Sequence, residues 1–246
     1  MMEFTEFLLL QFLAHLLADY FFQTNKMAHQ KNTLGFKSRL LPLHILIVFA
    51  CSWLLSFQIE FFVGAGIIAI LHYIIDGFKA TITTHKTLWK YAFFADQILH
   101  LVVLVAVSCL FASYHGLQPL WDIPFSANGI AIVIAYLCCL KPANIVIKEV
   151  FRSSQIDVAI AKQEKAEILD GADELPNAGK LIGILERTLA LTFILIGQYQ
   201  AVGFLIAAKS ILRYKDTDTL KTEYVLIGTM LSFGIAVVLG ILAGVL

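Results

Sequence analysis

Long apolar runs separated by short polar segments set the pattern of this chain. A stretch of about 18 or more apolar residues is long enough to cross a bilayer as a helix. Such runs cover residues 7–23, 40–57, 61–79, 93–113, 128–151, 179–198, 199–214 and 224–246. The fifth is interrupted by Lys141-Pro142; residues 128–140 alone are too short to span, so one kinked helix continuing to Phe151 is expected. Only Gln198 and Tyr199 separate the sixth and seventh runs, which predicts a tight hairpin or a re-entrant pair. The expected fold class is therefore all-α: a polytopic transmembrane helical bundle of about eight spans, or six plus a re-entrant hairpin. A polar stretch at 152–178 suggests two membrane halves, 1–127 and 128–246. Within it, residues 157–170 carry Lys162, Glu164, Lys165 and Glu167 at helical spacing and predict a water-facing helix.

Composition agrees with this pattern. Hydrophobic residues make up 59% of the chain and charged residues 15%, against about 45–50% and about 25% in a soluble domain. A net charge of zero argues against a nucleic-acid partner and leaves the lipid bilayer as the expected environment. The first residues have no basic segment and no small-residue cleavage site, so the first helix is expected to be retained. Cys51, Cys109, Cys138 and Cys139 all fall in apolar runs, and the adjacent pair lacks metal-site spacing; they read as packing residues. Lys and Arg concentrate in the segments after the first, third, fifth and seventh runs, starting with Lys26, Lys31, Lys37 and Arg39. By the positive-inside rule these face the cytoplasm and both termini lie outside. The last run contains Gly228, Gly234, Gly240 and Gly244, small residues that allow close helix packing within the chain or in an oligomer.

Against this background, ionisable residues inside apolar runs are costly and mark functional sites. His15 and Asp19 are four apart, on one helical face, with Gln23 after them; His72 and Asp76 repeat the spacing with Lys79 after them; Asp96 and His100 reverse it. His44 stands alone. The four histidines recur at intervals of 29, 28 and 28 residues, one span plus one connection, which holds them at similar depth in antiparallel neighbours. All lie toward the basic, cytoplasmic side. His15, Asp19, His44, His72, Asp76, Asp96 and His100 thus form one candidate ligand set for a divalent metal: zinc first, manganese or iron if carboxylates dominate. Gln23 and Gln97 would support the ligands. The plainer reading of Lys79 is an ion pair with Asp76, three residues away. His29, His85 and His115 fall in polar segments and are expected in solvent. In the second half, Glu186 pairs with Lys209 or Arg187, or Arg187 and Lys209 together bind an anionic headgroup or phosphate.

The motifs His15-x-x-x-Asp19-Tyr20-x-x-Gln23, His44, His72-x-x-x-Asp76-x-x-Lys79 and Asp96-Gln97-x-x-His100 resemble the pattern of a bacterial integral-membrane family, domain of unknown function 3307. The resemblance covers roughly the first 120 residues. The segments Asn177-Ala178-Gly179-Lys180, Glu186-Arg187, Ala207-Ala208-Lys209-Ser210 and Glu223-Tyr224 resemble the C-terminal extension of some members. The resemblance implies a bacterial inner-membrane location and no particular substrate. The residues themselves favour a metal-dependent hydrolase acting on a lipid, phosphate or ester substrate at the cytoplasmic face. Asp76 or Asp96 would serve as ligand or base, with Lys79 or Arg187 orienting the anion. The alternative is a divalent-cation or proton-coupled transporter using the same His/Asp set; a purely structural polar network is a third. Transport needs a polar path to the far side, where the first four runs offer only Gln11, Ser52, Ser56 and Ser108.

Overall fold

The computed structural model describes residues 2–85, 88–120, 125–155, 178–212 and 219–245. All regular structure among them is helical. The helices divide into two compact units, Met1–Ile130 and Ala131–Leu246.

In the first unit, α1 (Phe4–Leu16) runs directly into a π-helical segment, Leu17–Phe22. Its start is fixed where the Glu3 N–H donates to the Glu6 carboxylate at 3.1 Å, which also sets two acids at the positive end of the helix dipole. The basic segment that follows is a helix, not a loop. Thr24 accepts the Met27 N–H at 3.2 Å and caps α2 (Asn25–Leu34). Gly35, in the left-handed region at φ 53°, ends it and opens a 3₁₀ turn, Gly35–Lys37. Then come α3 (Leu41–Ser56), α4 (Phe62–Thr83) and α5 (Ala92–His115).

A bend of 111° separates the α2 segment from α3. The turn after α2 rests on α4 by backbone contact. A Cβ at Gly35 would stand 2.6 Å from the Gly77 carbonyl oxygen, and one at Gly77 would stand 2.0 Å from the Phe36 ring. Phe36 in turn packs its ring 5.3 Å from Tyr73 and 5.2 Å from Phe78, centroid to centroid. The two glycines thus pin α2 to the face of α4.

Inside the bundle, Phe7, Phe61 and Phe111 form an aromatic layer, with centroids 5.0 Å apart for Phe7–Phe61, 4.9 Å for Phe61–Phe111 and 5.8 Å for Phe7–Phe111. Outside it, Leu46, Leu54, Val63, Ile70, Val102 and Leu110 are exposed. An apolar belt of this kind suits hydrocarbon rather than water.

The second unit contains α6 (Ala127–Cys139, which begins at the edge of the first unit), α7 (Lys141–Ser153), α8 (Ala178–Leu195), α9 (Tyr199–Leu212) and α10 (Thr219–Val245). α6 and α7 are the expected interrupted run, bent by 49°. Ala190, Ile194, Val202, Phe233 and Ala236 form a core among α8, α9 and α10. A Cβ at Gly240 would lie 2.6 Å from Ile194, so this glycine of the last helix serves packing within the chain.

Among the described residues four stretches are long and apolar enough to cross a membrane: Phe4–Phe22, Ile59–Thr83, Ala92–His115 and Thr222–Val245. The bent pairs Asn25–Lys37 with Leu41–Ser56, and Ala127–Cys139 with Lys141–Ser153, raise the number to six. The two further expected crossings correspond to α8 and α9. Among the described residues α8 carries Lys180, Glu186 and Arg187, and α9 is described over 14 residues, so neither meets the requirement alone there. The water-facing helix expected at 157–170 lies outside the described residues.

The docking of the turn predicts that Gly35→Ala lowers stability in detergent by about 1–3 kcal/mol, because it adds a positive-φ strain and a backbone clash that no rotamer relieves. Gly66→Ala, where an added Cβ meets nothing within 4 Å, serves as the control. Equal melting temperatures for the two variants would show that the turn does not bear on α4 as described.

Candidate functional site

Four helices of the first bundle, α1, α3, α4 and α5, each turn inward one stripe of residues four apart. α1 and its extension supply Phe7, Gln11, His15 and Asp19; α3 supplies His44, Val48, Ser52 and Ser56; α4 supplies Ile68, His72 and Asp76; α5 supplies Asp96, His100, Leu104 and Ser108. All are buried, the Asp19 side chain to 5% exposure. The 28- and 29-residue intervals therefore bring the four histidines together. His72 and His100 stack at 3.8 Å between centroids, and His15 lies 5.9 Å and 5.5 Å from them; His44 lies 5.2 Å from His72.

Asp19 sits in the π-helical segment, where the Gln23 N–H donates to the Ala18 carbonyl five residues back at 3.1 Å. Such wide turns are frequent at functional sites. The same segment presents Tyr20, whose hydroxyl donates to Gln97 Oε1 at 2.7 Å; the Gln97 amide donates in turn to Asp96 Oδ2 at 3.1 Å. Gln23 places its side-chain nitrogen 3.0 Å from His44 Nε2. Both glutamines thus touch the residues they were expected to support.

The closest convergence is among Asp19, His44, His72 and Asp76. The Nε2 atoms of His44 and His72 are 3.2 Å apart. Asp19 Oδ1 lies 3.5 Å from the first and 3.4 Å from the second. Asp76 Oδ2 lies 3.4 Å from each. These N···O separations exceed the usual 2.7–3.2 Å of a hydrogen bond. They match the roughly 3.3–3.4 Å edge of a tetrahedron of ligands about 2.0–2.1 Å from a zinc ion. Asp19 Oδ1 is buried and has no hydrogen-bond partner. The donor set has separations that a transition metal could bridge, while Gln23 and Lys31 hydrogen-bond His44 and Asp76 from outside it.

Lys31 is the residue that the sequence reading missed. It is 4% exposed, and Nζ donates to both carboxylate oxygens of Asp76 at 2.9 Å each while standing 3.5 Å from His44 Nε2. Its expected place was among the solvated loop charges; the capped α2 and the docked turn carry it inward instead. Correspondingly, Lys79 does not pair with Asp76. Its ammonium donates to Asp96 Oδ2 at 2.8 Å and lies 5.7 Å from the centre of the Phe93 ring. Asp76 faces the bundle axis, while the position three residues on is turned toward α5. His29, His85 and His115 are exposed.

Beyond the histidines lies a cavity of about 10 Å³, lined by Gln11, His15, Ser52, His72 and His100 together with Val48, Ile68, Val103 and Leu104. Gln11 and Ser52 close its floor with paired hydrogen bonds, Gln11 Nε2 to the Ser52 carbonyl at 3.0 Å and Ser52 Oγ to Gln11 Oε1 at 2.6 Å. Below them stands the Phe7, Phe61 and Phe111 layer. The polar interior thus extends one layer past the histidines and stops at aromatic rings.

The remaining candidates belong to the second unit. Lys209 donates to Glu186. Arg187, 1% exposed, donates to the Cys139 carbonyl at 2.9 Å, Asn144 Oδ1 at 2.6 Å and Ser232 Oγ at 3.1 Å. Cys139 ends α6 at the bend, so Arg187 satisfies a carbonyl left open where the helix breaks. The two cations therefore have separate partners.

Lys31→Met is expected to lower stability by about 3–5 kcal/mol, since it leaves the Asp76 carboxylate buried beside no ammonium. Adding Asp76→Leu should recover most of the loss. Thermal unfolding of both variants in detergent checks this; a Lys31→Met protein as stable as wild type would contradict the burial of the pair.

Residues 7–122 match the sequence model of the family described as "Protein of unknown function (DUF3307)". That span includes every His and Asp of the interior described above, from α1 through α5. No curated protein and no solved structure matches the chain.

Proposed function

We propose that this chain, whose residues 7–122 belong to the DUF3307 family, uses the polar interior of its first unit as a divalent-metal centre for hydrolysis of a phosphate or ester substrate at the cytoplasmic face of a bacterial inner membrane. The observation that carries the metal is the set of five ligand-to-ligand separations of 3.2–3.5 Å around Asp19, His44, His72 and Asp76. Zinc is the first candidate, with manganese or iron as alternatives for a carboxylate-rich set. A metal held there would supply an activated water and polarise the bond to be cut.

The residues then divide the work. Asp19, His44, His72 and Asp76 would hold the ion, with Lys31 steadying Asp76 through both oxygens. Asp96 or Asp76 would take a proton from water. Lys79 has the most exposed side chain of these charged groups, at 12%, and is placed to orient an anion. The ester or phosphoester bond breaks, the water oxygen stays on the acyl or phosphoryl group, and the other oxygen departs as an alcohol with a proton. Substrate approaches from the α2 side, since the aromatic layer blocks the opposite end.

A second reading, passage of a divalent cation or protons, draws on the Gln11–Ser52 layer and its cavity, which carry polarity past the histidines. It requires the Phe7, Phe61 and Phe111 layer to part.

Metal analysis of purified wild type and His72→Ala tests the centre. Wild type is expected to retain stoichiometric zinc, and His72→Ala to lose affinity by roughly 10–100-fold or more. Wild type that takes up no metal when zinc is supplied would end this reading. Hydrolysis of p-nitrophenyl phosphate or p-nitrophenyl butyrate by the zinc form supports the enzyme. Cation flux in proteoliposomes, lost in Asp76→Asn, supports transport instead.

A further inference from the structure

We propose that the same interior takes a second divalent cation, held by Asp96 and His100, with Asp76 shared between the two ions, and that its substrate is a phosphomonoester. This rests on the metal reading above and goes beyond it in stoichiometry and substrate class.

The observation is a cluster of unmet polar atoms that the first ion does not serve. His100 is 4% exposed, yet among the described residues neither ring nitrogen has a hydrogen-bond partner. Asp96 is also 4% exposed, and its Oδ1 has no partner, although Lys79 and Gln97 both donate to its Oδ2. A buried imidazole with both nitrogens idle is unusual, since buried polar groups are nearly always satisfied. Asp76, Asp96 and His100 can offer one donor atom each within 4.8 Å of one another. Three protein ligands with a position left open describe a catalytic metal rather than a closed structural one.

Asp76 also belongs to the group formed with His44 and His72. Its Oδ2 faces those two histidines, Lys31 donates to both oxygens, and among the described residues Oδ1 has no further partner. A carboxylate common to two ligand groups is how paired metals are held about 3.5–4 Å apart in hydrolases that clamp the attacking and leaving oxygens of a phosphoryl transfer.

Charge selects the substrate. Asp19, Asp76 and Asp96 stand against Lys31 and Lys79, leaving one net negative charge when the imidazoles are neutral. One divalent cation turns this into one net positive charge; two turn it into three. Such an excess within an apolar belt needs anions. A phosphomonoester dianion and a hydroxide supply the three negative charges, whereas a neutral ester supplies none.

The test is a manganese titration of the full chain in detergent, read by ion count and by electron paramagnetic resonance. Wild type is expected to bind two ions per chain and to show an exchange-coupled signal. His100→Gln should bind one ion without coupling, and His44→Gln should lose the other ion. Inorganic phosphate should bind the two-ion form at least tenfold more tightly than the one-ion form. Saturation at one uncoupled ion in wild type overturns the second site and leaves the single metal centre standing; no binding at all overturns both. Two ions with no gain in phosphate affinity overturns the substrate class. Should His100→Gln fail to fold, the wild-type count and coupling decide the question.

Discussion

A carboxylate removed from water has to keep positive charge beside it, and the first unit is arranged around that requirement. Asp76 has no exposed surface. Lys31 grips both of its oxygens, and Lys31 reaches them only because α2 folds back against α4 instead of running into solvent. That return depends on Gly35 and Gly77, which let the turn rest backbone to backbone on α4. A short polar helix that would gain little by itself is thus held by one ion pair and one glycine contact.

Much of this interior could be read from spacing. His15 with Asp19, His72 with Asp76 and Asp96 with His100 each lie four apart, and the near-equal intervals between histidines predicted a common depth; the rings do meet, down to 3.8 Å for His72 and His100. The all-helical membrane architecture followed from apolar run length alone. Lys31 was hidden because charge counting treats every Lys between two runs as a solvated loop residue. The signals that could have found it were local: Thr24 as a cap, Met27 and Lys31 four apart on one face, and Gly35 as a stop. The partner of Lys79 was hidden for a different reason. Spacing along one helix gives a candidate pair, but which neighbouring helix a side chain meets depends on packing that spacing does not encode. The π-helical turn at Asp19 has no sequence signature of its own.

The two units meet buried charge in different ways. In the second, Arg187 has no carboxylate among its described partners and is surrounded by neutral acceptors, one of them the carbonyl freed by the bend between α6 and α7. That is a repair of helix geometry in which each contact uses a separate guanidinium nitrogen, although the Asn144 side-chain nitrogen beside it is buried without a partner among the described residues. In the first unit the charges face one another instead, and several polar atoms remain unmet. Asp19 Oδ1, Asp96 Oδ1 and both His100 nitrogens lie inside a cluster that otherwise shares its hydrogen bonds closely.

Asp76 is where these demands collide. Its oxygens are the only groups within hydrogen-bonding distance of Lys31 Nζ apart from the edge of His44, and one of them also belongs to the tetrahedral set. An ammonium and a second unit positive charge about 4 Å apart repel by roughly 4 kcal/mol at an effective dielectric near 20, and a divalent ion doubles the repulsion. A metal bound as proposed would therefore loosen the hold of Lys31 on Asp76. That ion pair ties α2 to the bundle together with the Gly35 turn, the Phe36 ring and the buried Met27. The contents of the interior and the position of α2 would then be, on electrostatic grounds, one equilibrium.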